Sequence, residues 1–104
     1  MKNFTVDKVY QGYRIEGTST YVEVDSCKEG VNKAIGIKNR IEDQLKNEVA
    51  NIPEASLEEV KMGFEVNAVP TTDKYRLVYS ITATISIDDE YLPKISDIFN
   101  EIID

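Results

Sequence analysis

The 104-residue chain has no histidine, no tryptophan and a single cysteine, Cys27. Without histidine there is no imidazole general base, no Cys–His nucleophilic pair and no zinc site of the Cys/His type. One cysteine cannot close an intramolecular disulfide, so nothing calls for an oxidising compartment. No window holds the roughly 20 apolar residues that a membrane helix needs. The opening Met1-Lys2-Asn3-Phe4-Thr5-Val6-Asp7 lacks the apolar core of a signal peptide. Together these absences read as a cytoplasmic protein, in which the Asn3-Phe4-Thr5 sequon has no consequence. Positive charge is also scarce: 12 Lys and Arg stand against 19 Asp and Glu, for a net charge of −7. That deficit disfavours direct contact with nucleic acid or an anionic membrane, because both require phosphate to be neutralised by Lys and Arg.

What is present fits one folded domain spanning residues 1–104. The 41% hydrophobic content is enough for a core and too high for a disordered chain. Twelve isoleucines, and nine lysines against three arginines, are the habit of an AT-rich genome, which associates the chain with a bacterial, plasmid or phage source.

Apolar periodicity predicts the order ββαββα. In the first segment Phe4, Val6 and Tyr10 share one parity and Tyr13 and Ile15 the other, which a β-bulge at Gly12 would reconcile on one face. Gly17-Thr18-Ser19 reads as a turn leading to a second strand over residues 20–25, paired as a hairpin. Ser26 and Glu29 have the spacing of a capping box. The helix they open is predicted to run from Cys27 to about Ala50, with an apolar stripe through Ala34, Ile37, Ile41, Leu45, Val49 and Ile52. Gly30 and Gly36 each weaken it by about 1 kcal/mol relative to Ala, and Pro53 marks its end.

Residues 58–87 carry the clearest pattern. Val60, Met62, Phe64, Val66 and Ala68 alternate with polar residues, and Tyr75, Leu77, Tyr79, Ile81, Ala83, Ile85 and Ile87 do the same with the opposite parity. Partners across a hairpin keep a constant residue sum, so the two sets share a face only if that sum is odd. A four-residue loop closed by Val69 and Lys74 supplies such a sum and pairs Ala68 with Tyr75, Val66 with Leu77, Phe64 with Tyr79, and Met62 with Ile81. A second helix is predicted from Asp88-Asp89, which can cap it, with Pro93 in its first turn and Leu92, Ile95, Ile98, Phe99 and Ile102 on its apolar side.

The fold class is therefore α+β: a four-stranded antiparallel sheet with two helices packed on one face. The same order arises from a circular permutation of the ferredoxin-like arrangement. The opposite face is expected to be wet, carrying Glu59, Lys61, Glu65, Asn67, Arg76, Val78, Ser80, Thr82, Thr84 and Ser86.

Charge is the one functional signal with a location. Residues 1–50 are net neutral, residues 51–87 carry −2, and residues 88–104 carry −5. Asp89, Glu90, Asp97, Glu101 and Asp104 are the candidate partner-binding residues, the last four spaced to follow one helical face. Glu101 and Asp104 sit at the negative end of the helix dipole, which costs about 0.3–1 kcal/mol for each exposed carboxylate. The functional reading is a strip that engages a basic partner; the alternative is a solvated face that keeps the protein soluble, with fraying at the terminus relieving the strain.

The other chemistry-bearing groups carry weaker signals. Cys27, at the first turn of a helix, has no base to serve it. The carboxylate pairs Glu42-Asp43, Glu58-Glu59 and Asp88-Asp89 point in different directions along a helix or strand, so no metal or cofactor is expected. Of the six tyrosines, Tyr75 and Tyr79 belong to the core side of their hairpin. Tyr10, Tyr13 and Tyr21 crowd the first strands and are candidates for exposure.

In outline, residues 13–45, a hairpin leading into an amphipathic helix, resemble HicB-like antitoxins. The small size and acidity are similar to those of phage proteins that block host defences. Neither likeness assigns a role to any residue. The expectation is a non-enzymatic acidic module, an inhibitor or antitoxin-like antagonist that occupies a basic surface of a nucleic-acid-binding partner. The alternative is a homo-oligomeric small-molecule-binding regulatory domain. A homodimer through a sheet edge or the open sheet face is compatible with either.

Overall fold

The long hairpin forms in the register its parity requires. The computed structural model describes residues 3–10 and 12–103. In it β4 (Ser56–Ala68) and β5 (Tyr75–Ser86) pair Ala68 with Tyr75, Val66 with Leu77, Phe64 with Tyr79, and Met62 with Ile81. The loop is closed by the Val69 N–H donating to the Lys74 carbonyl at 2.9 Å. One irregularity lies beyond the predicted pairs: the register shifts between Leu57 and Glu59, leaving Glu58 as a bulge.

The N-terminal third departs from expectation twice, and the two departures mirror each other. β1 (Asn3–Val9) and β2 (Gly12–Thr18) are antiparallel, with Val9 opposite Gly12 and Val6 opposite Ile15. The change of parity near Gly12 is therefore a chain reversal, not a bulge. Gln11, next to the expected bulge at Gly12, lies outside the described residues. The bulge is found where the turn was expected. β2 and the short β3 (Val22–Val24) run along the same edge of β5, with Thr18 opposite Ser80 and Val22 opposite Leu77. Three residues on one strand, Ser19 to Tyr21, thus face two on the other, Val78 and Tyr79. No hairpin forms at Gly17-Thr18-Ser19, so the hairpin within residues 13–45 that carried the likeness to HicB-like antitoxins is absent.

Ser19 repairs the ladder at the bulge. Its N–H donates to the Tyr79 carbonyl at 2.9 Å, and its hydroxyl accepts from the Tyr79 N–H at 3.0 Å. The side chain thus stands in for a displaced backbone carbonyl in a buried position. Ser19→Ala is expected to lower stability by about 1–3 kcal/mol, read as a lower urea midpoint at unchanged slope.

The sheet therefore has five strands instead of four. Across it the order is β1, then β2 and β3 end to end, then β5, then β4, all antiparallel. Counting β2 and β3 as one bent strand, the order is that of a permuted ferredoxin-like sheet.

α1 (Cys27–Ala50) begins where the capping box requires. The Ser26 hydroxyl accepts from the Glu29 N–H at 3.1 Å, while the Glu29 carboxylate accepts from the Asp25 N–H at 3.0 Å. Ala34, Ile41, Leu45 and Val49 are buried against the sheet. Gly30, a weak point for the helix alone, brings it close to β4, since a Cβ there would lie 2.9 Å from both Val66 methyls.

After β5 a 3-10 turn (Asp89–Tyr91) leads into α2 (Leu92–Ile102), with Pro93 in the first turn where its missing N–H leaves no gap. Asp88 precedes the turn but makes no side-chain capping bond. Ile95, Phe99, Ile102 and Ile103 join Ile15, the α1 stripe and the odd-numbered residues of β5 from Leu77 to Ile85 in a single core. Both helices thus cover one face, and the other face carries the polar residues expected of it.

Candidate partner-binding face

α2 is anchored on one side and displays acid on the other. Ile95 and Phe99 are fully buried, and Ile102 nearly so. Asp97 and Glu101, four residues apart, share the exposed side. Glu90 is exposed in the preceding 3-10 turn. Among the described residues none of these three makes an ion pair. The one base of the segment, Lys94, reaches Glu48 on α1 at 3.7 Å and so faces the neighbouring helix. No basic residue lies in the last turn of α2, so Glu101 meets the negative end of the dipole unrelieved.

Asp89 has a different job. Its carboxylate accepts from the Tyr13 hydroxyl and lies 3.9 Å from the Lys8 ammonium. Lys8 in turn sits 5.7 Å from the centre of the Tyr13 ring. The trio ties the start of α2 to the β1–β2 reversal. No local pattern announces it, because Tyr13 and Asp89 are 76 residues apart. Asp104 lies outside the described residues. Of the five acids singled out from the sequence, Glu90, Asp97 and Glu101 are thus displayed and Asp89 is engaged within the molecule.

The Asp89 carboxylate raises the Tyr13 pKa above the ordinary 10, first through the hydrogen bond it accepts, then through burial and charge. Raised in the folded state, the group contributes stability that is fully present below about pH 10 and lost as pH climbs through the higher folded value. The wild type is therefore expected to lose stability above pH 10 more steeply than Tyr13→Phe, with the two curves parallel at neutral pH. Parallel alkaline limbs in a denaturation series would show that the contact does not matter.

The open sheet face holds the other polar array. Asp7, Arg14, Thr84 and Glu59 form one cross-strand row, and Thr5, Glu16, Thr82 and Lys61 the next. They line a trough of about 390 Å³. Arg14 lies 3.8 Å from Asp7, Lys61 lies 3.4 Å from Glu59, and the Thr82 hydroxyl donates to Glu16 at 3.3 Å. Both bases are answered by acids and Glu16 has only a hydroxyl partner, so the trough is left with one net negative charge and no spare cation for an anionic ligand.

The tyrosines divide by position. Tyr13 is buried, while Tyr10 and Tyr21 are exposed, with the Arg76 guanidinium 4.5 Å from the Tyr21 ring centre. Cys27 is exposed. Among the described residues no three His, Cys, Asp or Glu side chains gather into a metal-binding group, and no helix is long and apolar enough to cross a membrane. In comparison with known proteins, no family model, no curated protein and no solved structure matches the chain.

Proposed function

We propose that this protein is a non-enzymatic binding module whose acidic helix occupies a basic surface on another protein. The observation that carries this reading is the display of Asp97 and Glu101, on a helix whose opposite side is locked into the core, and of Glu90 in the turn before it, none with an ion-pair partner among the described residues. A rigid strip of one sign steers encounter with a surface of the other sign and fixes its register.

Nucleic-acid-binding enzymes offer such basic surfaces, so the concrete form of the proposal is an inhibitor or antitoxin-like antagonist. A phage or mobile-element protein working in the cytoplasm, where Cys27 stays a thiol, fits that role. Affinity capture from the native host, eluted in a salt gradient, tests it. The expected result is a basic protein released at moderate salt, since exposed charge contacts are screened within about 8 Å at physiological ionic strength. A partner that is acidic, or one indifferent to salt, would count against the reading.

A further inference from the structure

We propose that the free edge of β4 pairs with the β4 edge of a second copy of this chain, joining two sheets into one continuous sheet around a two-fold axis. The inference does not rest on the acidic strip, which lies on α2 and the turn before it.

Among the described residues β4 pairs with β5 alone, so its outer edge is open along most of its 13 residues. Which backbone groups face outward follows from Ser19. Because the Tyr79 N–H and carbonyl are both bonded to Ser19, they point away from β4. Phe64, directly opposite Tyr79, must then turn its own N–H and carbonyl to the free edge. Strand alternation extends this to Val60, Met62 and Val66. The Val69 N–H, of the other parity, bonds inward to Lys74, as this requires.

A two-fold axis perpendicular to the sheet keeps the helices of both copies on the same side. Facing residues must then share parity, which limits the registers. One of them places Gly63 opposite Gly63 of the second copy. It sets Lys61 opposite Glu65, Met62 opposite Phe64, Val60 opposite Val66, and Glu59 opposite Asn67, each twice by symmetry. Four outward-facing pairs then close with about eight backbone hydrogen bonds. Lys61 and Glu65 fall in the close, non-hydrogen-bonded positions, where opposite charges interact most strongly.

A shift of two residues one way sets Glu59 against Glu65. A shift the other way sets Lys61 against Asn67 and Glu65 against Gly63. Neither keeps the charge match. Of the other edge strands, β3 is only three residues long, and β1 has no such option because its charges Asp7 and Lys8 differ in parity.

The apolar residues beside the edge point the same way. Phe64, on the helix-covered face, is 39% exposed, and Ile35 of α1 is 48% exposed. Ile35 lies about 140° around the helix from Glu48. Glu48 faces α2 through Lys94, so Ile35 is on the flank away from α2. Gly30 places that helix over Val66 of β4. A second copy seated on the edge would cover Phe64 and approach Ile35.

Sedimentation equilibrium of the wild type is expected to give twice the 11.8 kDa chain mass. Lys61→Glu alone and Glu65→Lys alone each set two like charges against each other and should weaken self-association by about tenfold or more. Mixed together, the two single variants should form a heterodimer, because both facing pairs are then complementary. The double variant K61E/E65K should recover the homodimer. A wild type that stays monomeric at high micromolar concentration overturns the proposal, as does a dimer that neither charge reversal weakens.

Discussion

Replacing Gly12 with alanine is expected to lower stability by about 3 kcal/mol or more, at the upper end of what overpacking costs and a large share of a small domain's total. A Cβ at this position would lie 2.1 Å from the Ile85 carbonyl oxygen and 2.9 Å from both the Ile85 carbonyl carbon and the Ser86 Cα. All three are backbone atoms of β5. The contrast is Gly17, where a Cβ would meet the Cδ1 of Ile103 at 2.0 Å; the end of a side chain can turn aside. At Gly12 relief requires β2 to separate from β5. β5 cannot retreat, because β4 is bonded along its other edge. Chemical denaturation of Gly12→Ala should show a sharply lower midpoint. A loss below about 1 kcal/mol would mean that β2 does not approach β5 so closely.

Truncating Phe99 to alanine is expected to cost about 3–5 kcal/mol, the range for a fully buried aromatic ring. Phe99 has no exposed surface and is the largest side chain that α2 places in the core. It packs with Ile103 over Gly17, where the missing side chain of β2 makes room for both. Phe99→Leu keeps most of the volume and should lose much less. Amide exchange in α2 should quicken more than in α1 when Phe99 is cut back, since α2 has 11 residues and depends on this docking, whereas α1 has 24. Equal loosening of both helices would indicate that α2 is not a separately held element.

These two positions also show where the sequence was legible and where it was not. The β4–β5 register could be read because both strands are long and strictly alternating, so that parity and loop length leave one solution. The same parity rule applies to the first segment. Val6 faces Ile15 with an odd sum, the signature of a reversal, but with few apolar residues on β1 a bulge accounted for the pattern equally well.

Gly17-Thr18-Ser19 has the composition of a turn, yet its glycine serves packing against Ile103 and its serine serves the bulge. Both reasons reside in elements more than 50 residues away. α1 was legible from end to end, because its cap and its stripe are local. Of the acidic strip, the exposed positions of α2 followed from helical spacing. The engagement of Asp89 by Tyr13 depended on a fold that brings the two ends of the chain together.

The claim that the acidic strip exists for binding is tested most directly by one variant, E90Q/D97N/E101Q, measured against a captured partner. None of the three residues makes an ion pair among the described residues, and Glu101 opposes the helix dipole. Neutralising Glu101 should raise stability by about 0.3–1 kcal/mol, and neutralising Glu90, at the positive N-terminal end, should offset it by a similar amount, so the net change is small. The account expects partner affinity to fall by two orders of magnitude or more at physiological salt while the unfolding midpoint stays close to that of the wild type. An affinity equal to that of the wild type, with the fold intact, would contradict it.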